Sequence, residues 1–310
     1  MLLTKNVSAV SYEARRFISE NIYGEIPGRP IHLLADVGEK DEFFAAGKAV
    51  MKKHIIICEL EGGKKIEFPI TAIIPKGKTN IPAIISAEHE DGVPNKFLPI
   101  EEIIHRGYAV FCFNHEAVCD NTESFKGKLY KSLATRRKKT APGKIAIWAY
   151  AMIRIAEYVS DLDYIDKSKI IFSGHSYLGK AALLAGAFCN KAGFVIANDS
   201  FSFGGLCNNG SPAVTLPQMF CPKFCEENGE DLIKDEHYSL LLACSDKQVL
   251  IAAAEDDLRS SPQRELECLN RVKSLNPDFE YHFHTREGTQ YFSRQDWNLF
   301  LDYIDKINGI

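Results

Sequence analysis

No apolar run in this chain approaches the roughly 20 residues that a membrane-spanning helix needs, which excludes a helical membrane protein and leaves a soluble one as the expectation. Met1 to Val10 has neither a long apolar core nor an Ala-x-Ala-like end, so no conventional export signal is expected there. Charge of one sign is equally scarce: 37 Lys and Arg against 41 Asp and Glu leave a formal net charge of -4, which gives no electrostatic footprint for nucleic acid. The one basic cluster, Arg136-Arg137-Lys138-Lys139, lies among Ser, Thr and Pro without interleaved aromatics and reads as a solvated loop. A cysteine framework is missing too. The nine cysteines are odd in number and scattered, several within apolar runs, as expected for reduced thiols in the cytoplasm. Cys221, Cys225 and His237 match no common zinc spacing, and neither a metal nor another cofactor is expected.

What remains is a globular composition. With 310 residues, 45% hydrophobic and 25% charged, the chain can bury a large core, and it reads as a single domain over 1–310 with an N-terminal helix and linker at about 1–50. Apolar spacing at Ala14, Ile18 and Ile22 predicts the helix. Two β-branched runs, His54 to Leu60 and Lys65 to Ile74, flank Gly62-Gly63 and predict an antiparallel hairpin at which the sheet begins. Pro82 to Ala87 and Tyr108 to Phe113 read as buried strands around a helix at Lys96 to Arg106, which implies a parallel crossover. The polar stretch from Asn114 to Lys144 is too long for a simple connector and is expected to rim a site. Beyond it follow a helix at Ile145 to Val159, a strand at Lys169 to Ser173, strands at Phe194 to Ala197, Lys247 to Ala254 and Phe279 to His284, and helices at Pro262 to Leu275 and Asp296 to Ile307. Strands alternating with helices behind an antiparallel hairpin give an α/β-hydrolase-like order, a mostly parallel sheet flanked by helices.

Chemistry concentrates in Lys169 to Cys189, KIIFSGHSYLGKAALLAGAFC. An apolar strand runs into Gly174-His175-Ser176-Tyr177-Leu178-Gly179 and then into an Ala/Leu-rich helix. A serine on a sharp strand-to-helix turn presents its hydroxyl as a nucleophile, and N–H groups at the helix start favour the negative charge that develops on an attacked carbonyl. The second glycine falls at Ser+3 instead of Ser+2. In the chain order of such hydrolases an acid comes next, and Asp257 or Asp256 after the penultimate strand occupies that place. Histidine should come last. The loop after the final strand reads REGTQYFSRQDW and holds none; Gln290 can hydrogen-bond but cannot accept a proton at neutral pH. His282 and His284, just upstream, share one face of the last strand and are the alternatives as base.

These residues resemble the glucuronoyl esterases of carbohydrate esterase family 15 and the bacterial acetyl xylan esterase-like hydrolases close to them. The likeness rests on GHSYLGKAALLAGAF, on the Asn198-Asp199-Ser200 stretch leading to a Gly-Gly pair, on AAEDDLRSSP, and on REGTQYFSRQDW, where the family pattern has R-x-G-T-H-Y-x-S-x-x-D-W. The family tolerates a glycine at Ser+3. The resemblance implies Ser176 as nucleophile, Lys180 as the lysine that contacts sugar hydroxyls, and Asp257 or Asp199 as the acid, since some members carry it in the loop that Asp199 begins. Three positions depart from the pattern: Tyr177 replaces an arginine of the oxyanion hole, Arg259 stands where a substrate-facing tryptophan is common, and Gln290 stands in the place of the catalytic histidine. The implied function is a serine-type carboxylic ester hydrolase for a carbohydrate-linked ester, impaired at Gln290. The competing reading is a non-catalytic binding protein for a carbohydrate or small molecule on the same fold. On either reading Ser176, Asp199, Asp257 and Gln290 are expected to converge at one edge of the sheet.

Overall fold

The computed structural model describes residues 7–120, 128–133, 138–200, 217–226, 229–257 and 261–309. Along the chain these form α1 (Val7–Asn21), β1 (His32–Asp41), β2 (Ala49–Glu59), β3 (Lys65–Pro75), β4 (Ile81–Glu88), α2 (Ile100–Arg106), β5 (Ala109–Asn114), α3 (His115–Val118), α4 (Lys128–Leu133) and α5 (Lys144–Ser160). They continue as β6 (Ile165–His175), α6 (Tyr177–Phe188), β7 (Ala192–Asn198), α7 (Pro222–Glu226), α8 (Gly229–Ala243), β8 (Gln248–Ala254), α9 (Pro262–Leu275), β9 (Tyr281–Arg286) and α10 (Arg294–Asn308). One nine-stranded sheet collects the strands in the order β1-β2-β3-β5-β4-β6-β7-β8-β9. The first three pair antiparallel, and from β5 to β9 every pairing is parallel.

The expected hairpin is β2–β3, in register from Glu59↔Lys65 to Ala49↔Pro75, and its turn uses Gly62 and Gly63 at φ 80° and 77°, left-handed values that favour glycine. It is not where the sheet begins. His32–Asp41, within the stretch expected to be linker, is an edge strand with mostly exposed side chains and a register shift between Val37 and Lys40. An edge strand needs one partner and little buried surface, and a bulge with charged residues keeps its open side from pairing further. The helices α7 and α8 were likewise not expected.

Strand β4 is buried along its whole length, as its continuous apolar run requires. From β4 the chain moves to β5 on one side, and from β6 to β7 on the other, so the crevice between the C-terminal ends of β4 and β6 is the topological switch point. One apolar core, with α1, α5, α6 and α8, covers one face of the sheet, and a second, with α2 and α10, covers the other. Among the described residues no helix is long and apolar enough to cross a membrane.

Candidate active site

Ser176 occupies the switch point. It joins β6 to α6 with φ 58° and ψ -125°, a left-handed value that a non-glycine residue adopts at a cost of about 1–2 kcal/mol. Its neighbours explain how so tight a turn closes. A Cβ on Gly174 would lie 2.3 Å from the Leu178 carbonyl oxygen, and one on Gly179 would lie 2.9 Å from Ser200 Cβ and 3.0 Å from the Gly174 oxygen. The close approach therefore falls at Ser+3, while Leu178 at Ser+2 points into the core. The turn is tied to the next strand by Ser176 N–H, which donates to the Asn198 carbonyl at 2.9 Å.

Asp199, directly after β7, is fully buried with φ 45°. Its Oδ1 accepts from Ala254 N at 2.7 Å, and its Oδ2 accepts from Arg286 Nη2 at 2.7 Å and Tyr291 N at 3.0 Å. Burial pushes this carboxyl up to about 6 against the opposing pull of Arg286. Gln290 Nε2 donates to the Asp199 carbonyl at 3.3 Å. The Ser176 backbone and the Gln290 side chain thus hang on the consecutive carbonyls of Asn198 and Asp199. Asp256 is exposed, and its Oδ2 accepts from Gly288 N at 3.1 Å. Asp257 follows β8 and is buried. Arg259 and residues 201–205, including the Gly-Gly pair, lie outside the described residues.

Arg286, at the end of β9, clamps the loop that carries Gln290. Its Nη1 donates to Thr289 O at 2.8 Å, its Nη2 to Tyr291 O as well as to Asp199, and its Nε to Asp296 Oδ2 at 3.0 Å. Asp296, fully buried in the first turn of α10, also accepts from Ser293 N and Oγ, both at 2.8 Å, in a capping box. It binds His284 Nε2 at 2.9 Å as well, and His284 packs on Phe300 with ring centroids 5.0 Å apart. His282 packs against Tyr303 with the rings tilted and their centroids 4.9 Å apart. Both histidines offered as alternative bases are therefore packed against α10.

A feature that sequence reasoning missed stands at the ends of three adjacent parallel strands. His115 follows β5, His89 follows β4, and His175 ends β6; His89 lies 5.3 Å from the first ring and 5.7 Å from the second. His89 Nε2–H donates to the His175 carbonyl at 3.0 Å, and His115 Nδ1–H to the Glu88 carbonyl at 3.1 Å. Phe97 stacks on His175 at 5.2 Å. Burial pulls all three imidazoles down, His175 to about 4, so they are neutral near pH 7. With Nε2 turned to the carbonyl next to Ser176, the other ring nitrogen of His89 faces away from that carbonyl. Each histidine sits where an apolar strand run stops, which was the signal available. Among the described residues no group of three or more His, Cys, Asp or Glu is disposed to hold a metal ion.

Lys180, one turn into α6, is fully buried, with Nζ 3.1 Å from both carboxylate oxygens of Glu236. Beside it His237 Nε2 lies 3.2 Å from Glu265 Oε1, again with both groups buried. Burial draws Lys180 down to about 7 and pushes Glu265 up to about 8.

Residues 57–215, about half of the chain, match the family described as glucuronyl esterase, fungi. The chain belongs to the glucuronyl esterase family. Carbohydrate esterase MZ0003, from an unknown prokaryotic organism, is 25% identical over 237 residues, covering 66% of this chain and 55% of that protein. The 4-O-methyl-glucuronoyl methylesterase of Hypocrea jecorina (strain QM6a) is 27% identical over 201 residues, covering 63% of this chain and 38% of that one. The chain thus spans about half the length, or less, of these curated relatives. Among solved structures, a glucuronoyl esterase from Solibacter usitatus superposes with a TM-score of 0.82 at 18% identity, over 95% of this chain and 91% of that one. A CE15 glucuronoyl esterase from Teredinibacter turnerae T7901 gives 0.81 at 16% identity, over 98% and 85%. These likenesses establish the fold: the expected α/β-hydrolase architecture is the one adopted.

Proposed function

We propose that this family member is a serine-type carboxylic ester hydrolase for carbohydrate-linked esters of the glucuronoyl kind, with Ser176 as nucleophile, Asp199 as acid and Gln290 in the position of the base. The supporting observation is the elbow: a strained serine at the switch point, tied to the carbonyl that precedes Asp199, with Gln290 on the next carbonyl. Asp199 is preferred to Asp257 because the Gln290 loop closes over it, through Tyr291 N and through Arg286. The substrate class follows the names of the relatives, one of which was solved in complex with methyl 4-O-methyl-beta-D-glucopyranuronate. Lys180 would reach a sugar hydroxyl only by exchanging its bonds to Glu236. We place the protein in the cytoplasm, because its nine cysteines are odd in number and scattered through apolar runs.

Turnover on this reading is low. Removing a triad base leaves about 10³–10⁴-fold acceleration over water, from the oxyanion hole and binding alone. A second reading, a binding protein on a hydrolase scaffold, is favoured by one observation: His284 is committed to Asp296, and the Nε2 of His89 to the carbonyl next to Ser176. Labelling separates the two. Incubation with an aryl phosphonate is expected to add one phosphonyl group to Ser176, slowly, and none to Ser176→Ala. No mass gain in either protein after prolonged exposure would favour the binding reading.

A further inference from the structure

The loop that follows β4 ties the elbow to the β9 loop, and one buried side chain holds it. Phe97 packs on His175 with ring centroids 5.2 Å apart and on Tyr291 at 5.6 Å. The Phe97 carbonyl accepts from Trp297 Nε1 at 2.8 Å, and the Lys96 carbonyl accepts from the Tyr291 hydroxyl at 2.9 Å. A displacement of this loop therefore reaches the residue before Ser176 and the residue after Gln290 together. Its own shape is set by Asn95, whose Oδ1 accepts from Phe97 N at 2.9 Å and from Leu98 N at 3.0 Å. The amide nitrogen of that same side chain donates to Glu88 Oε2 at 3.2 Å. Glu88 ends β4, a strand fixed on both sides by parallel neighbours, so the loop hangs from a rigid point.

The grip of Glu88 depends on its proton. Its Oε1 accepts from Ser86 Oγ at 2.5 Å, two residues back on the same face of the strand. A pocket of about 410 Å³, lined also by Lys53, Thr71, Asp91 and Asn114, opens onto the carboxyl and lets protons reach it. Along the chain stand His89, Glu90 and Asp91, with Glu90 paired to Lys96 at 2.6 Å. From β5 comes the Cys112 thiol, which burial keeps neutral, and from β2 comes Lys53, which is paired to Glu39 at 2.7 Å. His115 of α3 binds the Glu88 backbone carbonyl and not its carboxyl. Among the described residues none of these cations is bonded to the carboxylate. Burial raises Glu88 to about 7 against the two bonds it accepts, so both of its forms are populated near neutral pH. Ionised, it accepts from Ser86 and Asn95 in charge-assisted bonds, roughly twice as strong as neutral ones. Protonated, it keeps the bond from Asn95 and turns its own O–H to Ser86 Oγ.

We propose that Glu88 is a positioning residue for the reaction at Ser176, acting through Asn95 on the loop that joins the elbow to the Gln290 loop. Its hold tightens as the carboxyl ionises, and is therefore stronger above about pH 7 than below it. The effect on Ser176 rests on the hydrolase reading, while the effect on the loop stands apart from it. Both are read on the full chain. Glu88→Gln keeps the bonds in their neutral form. Glu88→Gln/Asn95→Asp exchanges amide and carboxylate, which restores a charged bond and leaves an acceptor at position 95 for Phe97 and Leu98. The chain has two tryptophans, and the indole N–H of Trp297 reports the loop through the Phe97 carbonyl. Its NMR signal should move with a midpoint near pH 7 in the parent and not in Glu88→Gln; Asp199, at about 6, is common to both proteins. At about pH 8 phosphonate labelling of Ser176 should be about fivefold slower in Glu88→Gln and should recover to within about twofold of the parent in the exchanged pair. At about pH 6 the parent and Glu88→Gln should agree within about twofold. Glu88→Ala, which cuts the link, should slow labelling at least about tenfold at either pH. A midpoint near pH 7 that persists in Glu88→Gln, an exchanged pair no faster than Glu88→Gln, or full labelling speed in Glu88→Ala would overturn the proposal. If Trp297 responds as expected while Ser176 labels in no protein, the loop anchor stands and the hydrolase reading falls. If Ser176 labels at one rate in all of them, the reverse holds.

Discussion

The elbow and the loop after β9 face each other across the candidate site, and they are held by different physics. The elbow is a matter of sterics: a left-handed serine and two glycines whose missing Cβ atoms make room for backbone. The loop is a matter of charge: one guanidinium spans two buried carboxylates and binds the carbonyls of Thr289 and Tyr291. The contrast explains how the site tolerates its departures from the family pattern. Arg286 grips the backbone on either side of position 290 and not its side chain, so the side chain there can be exchanged without disturbing the clamp. A substitution at Gly174 or Gly179 has no such freedom.

Breaking the clamp should have the largest effect. Arg286→Met leaves Asp199 and Asp296 buried without their cation, and unpaired buried charges of this kind cost about 3–5 kcal/mol; chemical denaturation should show the loss. Breaking the elbow comes next. Gly174→Ala must displace the Leu178 carbonyl, and a stability loss of about 3 kcal/mol is expected by the same measurement, whereas Gly28→Ala, in open space, should stay within about 0.5 kcal/mol. The smallest effect concerns pH. His175 is held down to about 4 by burial, below its unfolded value of 6.5, so the folded state binds fewer protons between those limits. Stability should be intact above pH 6.5 and fall as pH drops through that window, by on the order of 2 kcal/mol from this group, with His89 and His115 acting in the same direction. Thermal melts of His175→Cys across pH 4–7 should show a shallower slope than the parent.

Much of this was legible from local pattern. β-branched runs about Gly62-Gly63 specified the β2–β3 hairpin, and Pro262 to Leu275 is the helix that its periodicity and proline predicted. The elbow was legible because a Gly-x-Ser turn between a strand and an Ala-rich helix has few structural alternatives. Edge strand β1 was not legible, since HLLADVGEKD buries little and shows no clear alternation. Which carboxylate lies under position 290 stayed open between Asp257, Asp256 and Asp199 for another reason: it depends on where the β9 loop lands, and that loop bonds to Asp199, 91 residues away in sequence. The three histidines became one cluster only when β5, β4 and β6 became neighbours.

The central claim, a hydrolase site complete except for its proton acceptor, is tested most directly by the rate of methyl glucuronate ester hydrolysis in Gln290→His. A positioned general base contributes about 10²–10⁴-fold, so the variant should exceed the parent at least about a hundredfold, and Ser176→Ala should abolish the gain. Because the resemblance sets Tyr177 against an arginine of the oxyanion hole, and one lost donor costs about 10²–10³-fold, the double variant Gln290→His/Tyr177→Arg belongs in the same experiment. If neither variant outruns the parent, and Ser176→Ala changes nothing in either background, the claim is contradicted and the pocket binds without catalysing.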